Sequence, residues 1–242
     1  MEFYHKTDVG ALRKVNQDAV ASKVLSPNFA WSLICDGMGG ANGGDVASNL
    51  AVSEVSNYLD ENLSENMSLE EIKVLMYNAI ENANNKIFEK SLKHAEFSNM
   101  GTTIVLCIVK DKTLSIMYAG DSRVYLLSKS GITQLTKDHS VVQEMVDSGE
   151  ITPEDAKNHP QKNIITRALG VRENIQLDYV KENLNSNDII LLCTDGLTNE
   201  ISDDDIYNFC MNNAISEIPE KLIRAANISG GRDNITVSVA QI

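Results

Sequence analysis

Apolar residues recur along this chain in two rhythms. Strand-like runs occur at Ala30–Cys35, Thr102–Lys110, Thr113–Ala119, Arg123–Ser128, Asp188–Cys193 and Ile235–Gln241, short and rich in β-branched residues as half- or fully buried strands are. Only Asp111-Lys112 separates the second run from the third, which predicts a two-residue hairpin. Gly120-Asp121-Ser122 leads as tightly into the fourth. Strands that follow one another without a helix predict antiparallel meanders rather than a doubly wound parallel sheet. The other rhythm is helical. Val46–Leu63 carries apolar residues at 47, 50, 51, 55, 58 and 59, and Leu69–Leu92 continues with 72, 75, 76, 79, 80, 83 and 87. Each leaves a polar opposite face, so each is expected to lie on a sheet. A further helical pair is expected at Ser202–Met211 and Ile215–Ala226, with Ser202 capping ahead of Asp203-Asp204-Asp205. The pattern predicts antiparallel sheets covered by long helices.

Between Asp138 and Gly170 the rhythm breaks. Val141–Ser148 predicts a short helix stopped at Gly149, and Thr152-Pro153-Glu154-Asp155 has the cap and first-turn proline of another. The polar stretch onward to Ile164 reads equally as a lid beside a site or as a solvated connector. No linker, low-complexity tract or repeat divides the 242 residues, so one domain spanning 1–242 is expected.

Charge narrows the partners. Lys and Arg total 21 against 34 Asp and Glu, a net charge of −13. That argues against general nucleic-acid binding and against docking on anionic lipid. It leaves room for a phosphorylated substrate, because bound cations invert the field of an acidic cleft. Residues 1–8 form no apolar signal core, and the apolar runs are too short to cross a bilayer. Cys35, Cys107, Cys193 and Cys210 have no metal-ligand spacing. They are expected to be small buried residues in a reduced, cytoplasmic setting.

Candidate chemistry lies at the ends of the apolar runs. Asp36 in Cys35-Asp36-Gly37-Met38-Gly39-Gly40, Asp121 in Gly120-Asp121-Ser122 and Asp195 in Thr194-Asp195-Gly196 each close a run at a glycine-containing turn. Asp233, in Gly230-Gly231-Arg232-Asp233-Asn234, stands before one. A carboxylate in such a place loses hydration unless a cation compensates it. Four in the same context predict sheet ends converging on one acidic site, and oxygen ligands suit Mg²⁺ or Mn²⁺. The reading is a two-metal hydrolase. Taken alone, Asp36-Gly37 fits a metal site and a plain strand-to-helix turn about equally. Asp18 binds a metal directly or through water, and Arg13 offers a donor fork suited to phosphoryl oxygens. Asp8 either orients Arg13 or shapes a turn.

Other phosphate chemistries lack their parts. No Gly-Lys-Ser/Thr phosphate loop occurs. The positions six after the four cysteines are Ala41, Thr113, Asn199 and Ser216, never the arginine of a cysteine phosphatase. Two residues before Asp195 stands Cys193, not the aspartate that an aspartyl-phosphate enzyme needs. His5, His94, His139 and His159 share no metal spacing and read as structural or exposed.

The order Arg13…Asn16-Gln17-Asp18, Asp36-Gly37-Met38-Gly39-Gly40, Met100-Gly101-Thr102-Thr103, Gly120-Asp121-Ser122-Arg123, Leu135-Thr136-Lys137-Asp138-His139-Ser140, Thr194-Asp195-Gly196-Leu197 and Gly230-Gly231-Arg232-Asp233-Asn234-Ile235-Thr236 closely resembles the bacterial metal-dependent protein phosphatases of type 2C. The resemblance spans nearly the whole chain. It implies an α+β fold, a four-layer α-β-β-α sandwich of two antiparallel sheets flanked by helices. By the same resemblance Asp36 bridges two Mn²⁺ or Mg²⁺ ions and Gly37 gives its carbonyl to one. Asp195 and Asp233 hold the other, Asp18 reaches the metals through water, and Asp121 with Asp195 holds a third, weaker ion. Arg13 matches the phosphate-binding arginine, and a flap occupies about 141–165. Gln17 stands where many members have Glu, Met38 where eukaryotic members have a histidine acid, and Ala41 where relatives often have histidine.

The implied function is hydrolysis of phosphoserine and phosphothreonine in protein substrates by direct attack of metal-bridging water. It would oppose a cognate bacterial Ser/Thr protein kinase, as a cytoplasmic monomer without nucleic-acid or membrane partners. Two other readings are a catalytically silent module that binds phosphoproteins and a dedicated phosphatase for one partner-switching regulator. Every expected metal-binding aspartate is present, against the first; no room remains for a sensor domain, against the second.

Overall fold

The computed structural model describes residues 1–39 and 43–242; Gly40 and Ala41, singled out above, lie outside the described residues. The strands are β1 Phe3–Asp8, β2 Asp18–Ser26, β3 Phe29–Met38, β4 Gly101–Thr102, β5 Ile104–Lys110, β6 Thr113–Ala119, β7 Arg123–Ser128, β8 Gly131–Gln134, β9 Asp178–Asn183, β10 Ile189–Cys193 and β11 Ile235–Gln241. They form two antiparallel sheets, one in the order β1-β11-β10-β7-β8 and the other β2-β3-β5-β6-β9, with β4 paired to the end of β3. The helices are α1 Gly44–Asn62, α2 Leu69–Lys93, α3 Val141–Asp147, α4 Pro153–Lys157, α5 Asp195–Thr198, α6 Asp203–Met211 and α7 Ile218–Ser229.

The side-chain alternation of each central strand explains the layers. Phe29, Trp31, Leu33 and Cys35 of β3 pack with Ala47, Ala51, Val55 and Leu59 of α1 and with the apolar face of α2. The intervening Ala30 and Ile34 point the other way, into a core between the sheets that includes Val105, Ile116, Ile190 and Leu192. Ser32 and Ser238, both fully buried, hydrogen-bond across that core at 2.8 Å. Beyond the other sheet, Tyr125, Leu191 and Val237 pack against Ile206 of α6 and Leu222 and Ala226 of α7. The result is the expected α-β-β-α sandwich. All seven apolar positions read on α2 are buried, and its N-terminus is fixed by a capping box between Ser68 and Glu71.

The structure corrects several boundaries. Gly120-Asp121-Ser122 does not continue a meander: β6 pairs with β5 and β9, whereas β7 pairs with β10 and β8 in the opposite sheet. A three-residue connector looks the same in sequence whether it turns within a sheet or steps between two. The run from Thr102 is broken at Thr103, whose backbone N–H instead donates to the Asp36 carbonyl at 2.8 Å. Ile215–Glu217 is a single 3₁₀ turn, and α7 starts at Ile218 because Pro219 belongs in a first turn. The Asp111-Lys112 hairpin stands, with Lys110 opposite Thr113.

Candidate active site

Strand order brings the aspartates to one end of the sandwich. The β2–β3 register sets Asp18 opposite Asp36. Asp195 follows β10, Asp233 precedes its neighbour β11, and Asp121 follows β6. Arg13, Asp36, Gly37, Asp121, Asp195 and Asp233 line one cavity of about 590 Å³, with Gln17 and Met38 also on its wall. Asp18 is buried beside them, and its charge acts on Asp36.

Each group is held by neighbours whose side chains are committed to the task. The Asp36 N–H donates to Thr103 Oγ1 at 2.9 Å, and the Asp36 carbonyl accepts from the Thr102 hydroxyl at 2.9 Å. Thr103 Oγ1 also lies 2.8 Å from Ser122 Oγ, so one hydroxyl pair links the Asp36 strand to the turn that carries Asp121. At Gly37 a Cβ would stand 2.1 Å from the Gly44 carbonyl oxygen and 2.6 Å from that of Gln17, so only glycine lets the chains pass this closely. Asp18 Oδ2 accepts from the Thr194 hydroxyl at 2.9 Å and the Thr236 hydroxyl at 2.7 Å. Asn199 Nδ2 donates to Asp195 Oδ2 at 2.9 Å. Arg13 Nη2 donates to Asp233 Oδ2 at 2.8 Å. Its segment is tied to the Asp233 turn by Asn234, whose amide accepts from the Gln17 N–H and donates to the Val9 and Val15 carbonyls at 2.8–3.0 Å.

The electrostatics are those of crowded, buried carboxyls that a cation would relieve. Burial, then the charges of Asp18, Asp195, Asp121 and Asp233, drives the Asp36 carboxyl well above the usual carboxylate range. Burial and Asp195 do the same to Asp121, and burial and Asp233 raise Asp195. Burial pushes Asp18 up to about 7, opposed by its two threonine hydroxyls and reinforced by Asp195 and Asp233. Asp18 Oδ1 is buried with no hydrogen-bond partner. That orphaned oxygen and the all-oxygen donor set fit hard divalent cations. No three His, Cys, Asp or Glu groups among the described residues are already gathered around a single ion-sized point. Instead the acids line a cavity, one of them drawn aside by Arg13.

Of the residues expected to hold metal or phosphate, Arg13, Asp36, Gly37, Asp121, Asp195 and Asp233 line this cavity and Asp18 is buried beside it. The residues left without a role were Thr103, Thr194, Thr236 and Asn234, which sit inside the same motifs and orient the acids. Their signal was a hydroxyl or amide next to a buried aspartate. Asp8 shapes a turn, accepting from the Gly10 N–H at 2.8 Å. His139 is structural: it stacks on Tyr118, and its Nδ1 accepts from the Gly120 N–H. All four cysteines are buried and free, with thiols raised by burial, so none is a nucleophile.

The chain is similar to known proteins over nearly its whole length. A sequence profile of the family Protein phosphatase 2C matches residues 12–225. The chain is 38% identical to the serine/threonine phosphatase stp of Listeria monocytogenes over 237 residues, covering 98% of this chain and 94% of that relative. Among solved structures it is similar to serine/threonine phosphatase Stp1 from Staphylococcus aureus, with a TM-score of 0.93, 34% identity and coverage of 100% of this chain and 94% of that one. It is also similar to the catalytic domain of serine threonine protein phosphatase PstP in complex with 2 manganese ions, with a TM-score of 0.86, 31% identity and coverage of 99% and 97%.

Proposed function

The chain belongs to the protein phosphatase 2C family and is a metal-dependent protein serine/threonine phosphatase; from that premise we propose which of its residues carry the reaction. Asp36, Asp195 and Asp233, with the Gly37 carbonyl, would hold two Mn²⁺ or Mg²⁺ ions; Asp18 would act on them through water, and Asp121 with Asp195 would serve a third. The observation that carries this reading is the convergence of these acids and Arg13 on one cavity. Bound there, divalent cations supply Lewis-acid polarisation and a water of lowered pKa.

The chain's own residues do the rest. Arg13, which rests on Asp233, would place its fork on the non-bridging phosphoryl oxygens of a bound substrate. Thr103, Thr194 and Thr236 keep the acids from turning away, which holds the reacting groups in line. Met38, on the cavity wall, has no titratable proton, so the residue at that position does not protonate the departing alkoxide oxygen. Water displaces the serine or threonine oxygen directly, without a phosphoenzyme; the buried thiols and the hydrogen-bonded Thr103 hydroxyl support this.

Residues 141–165 form the flap. The segment leaves and returns at one point, where Ser140 bridges Ile165 and the Val141 N–H donates to the Ile164 carbonyl at 2.9 Å. Asn163 and Ile165 at its end line the cavity. We further place the enzyme in the cytoplasm, on the grounds of four buried free thiols. It acts as a monomer, since a single chain completes the site, and it reverses a Ser/Thr protein kinase. Among the described residues no helix is long and apolar enough to cross a membrane.

The test is hydrolysis of p-nitrophenyl phosphate and a phosphothreonine peptide with Mn²⁺, with Mg²⁺ and with EDTA, using Asp36→Asn as control. Turnover should require metal and fall by several orders of magnitude in the variant. Near-normal turnover in Asp36→Asn would overturn the metal-site assignment.

A further inference from the structure

A second cleft, of about 410 Å³, opens beside the catalytic cavity and shares Met38 and Ile165 with it. Val171 and Ile175 give it an apolar wall, Arg167 and Arg172 give it cations, and Glu144 of α3 is the one carboxylate among the described lining residues. The two arginines differ. Arg167 is committed, donating to Asp178 Oδ1 at 2.6 Å and lying 3.1 Å from His139 Nε2. Arg172 is exposed, and its guanidinium makes no ion pair or hydrogen bond among the described residues.

Its backbone, by contrast, is fixed. Asn84 of α2 is fully buried and donates to the Arg172 and Glu173 carbonyls at 3.1 and 2.9 Å while accepting from the Gly170 N–H at 2.8 Å. Gly170 sits at φ +81°, and a Cβ there would stand 2.2 Å from Ile87 Cγ2, so this turn requires glycine. One residue earlier, Leu169 exchanges both backbone hydrogen bonds with Thr102, the neighbour of the threonine that holds Asp36. The loop presenting Arg172 is thus built in register with the catalytic carboxylate, while its cation is left unpaired.

We propose that this cleft takes the stretch of substrate polypeptide flanking the phosphorylated residue, and that Arg172 pairs there with an acidic side chain. The inference rests on the phosphatase reading of the adjoining cavity. A chain with a net charge of −13 repels acidic peptides in general. An unpaired guanidinium at the mouth of its site reverses the field locally and matches a carboxylate in shape. Glu144 disfavours an anion on the α3 wall, which confines the acidic side chain to the Arg172 side.

The experiment uses the full chain with Mn²⁺ and phosphothreonine peptides in an alanine background, each carrying one aspartate at a successive position on either side. At one or two positions aspartate should raise kcat/KM about 3- to 5-fold, mainly through KM, as an exposed ion pair does. The gain should shrink with salt. Arg172→Gln should abolish it, and Arg172→Glu should transfer the preference to lysine at the same position. Turnover of p-nitrophenyl phosphate and of the all-alanine peptide should stay unchanged in both variants, which also reports that they fold. No aspartate preference at any position, or a preference that survives in Arg172→Gln, overturns the proposal. Loss of all metal-dependent turnover in the wild type would instead overturn the phosphatase reading beneath it.

Discussion

Without cations, the acidic cluster proposed to serve catalysis should work against the fold. Asp18 makes this measurable, because it titrates in an accessible range. Its carboxyl is pushed up to about 7 by burial and by Asp195 and Asp233, against a usual value of 3.8. Between about pH 4 and 7 the native metal-free protein holds a proton there that the unfolded chain has released. A raised carboxyl stabilises relatively at low pH, so the stability of the metal-free protein falls as pH rises through this window. Above it, the shift of roughly three pH units at ~1.4 kcal/mol each costs about 4 kcal/mol. Asp18→Asn removes the charge and keeps an oxygen for the Thr194 and Thr236 hydroxyls.

In EDTA near pH 8 the variant should therefore be more stable than wild type by up to about 4 kcal/mol. In a domain of this size that is roughly 8–16 °C in Tm. The advantage should disappear near pH 4. The assay is thermal and urea unfolding of both proteins in EDTA at stepped pH, read as the difference between them. That difference cancels Asp147 and Asp178, whose depressed carboxyls titrate in both. Saturating Mn²⁺ should abolish the advantage, because a ligand that binds only the native state stabilises it by mass action. A difference independent of pH, or a variant less stable than wild type in EDTA near pH 8, refutes the reasoning.

Two further outcomes follow from single side chains. Arg13→Ala should lower kcat/KM on a phosphothreonine peptide roughly 10- to 100-fold, the loss of a charge-assisted hydrogen bond of about 1.5–3 kcal/mol. Mn²⁺ affinity by calorimetry should be kept or tightened because Asp233 loses its internal partner; unchanged kinetics would remove Arg13 from the phosphate site. Asn84→Leu leaves the buried Gly170 N–H and the part-buried hydrogen bonds of the Arg172 and Glu173 carbonyls without their partner and should cost about 3 kcal/mol, or roughly 6–12 °C in Tm. It should also erase the aspartate preference while p-nitrophenyl phosphate turnover at 25 °C stays within about twofold; a change in stability below about 0.5 kcal/mol would show that Asn84 does not anchor the loop.

What was legible in the sequence depended on where each strand lies. The runs readable as strands, β3, β5, β6, β7, β10 and β11, are all interior to their sheets. Most are covered on both faces, which makes them nearly continuous apolar segments. The strands that escaped notice, β1, β2, β8 and β9, are the four edges. Phe3-Tyr4-His5-Lys6-Thr7-Asp8 and Asp178-Tyr179-Val180-Lys181-Glu182-Asn183 carry the charges that protect edges from pairing with other chains, and those charges hide the strand signal. Helices α1 and α2 were legible because each rests one face on a single sheet.

The aspartates were legible for the complementary reason. A carboxylate at the end of a buried strand has no apolar role, so its repetition stands out against the core pattern. What the repetition did not disclose was how the ends meet. Asp18 and Asp36 share one sheet, whereas Asp195 and Asp233 flank neighbouring strands of the other. The site therefore exists only because the two sheets stack. The Thr103–Ser122 hydroxyl pair and the bonds from Thr194 and Thr236 to Asp18 fasten that meeting point. The Arg172 cleft lay further out of reach, because the contact that shapes it joins residues 88 positions apart. An asparagine inside an amphipathic helix looks like any solvated polar position until the loop it anchors is folded against it.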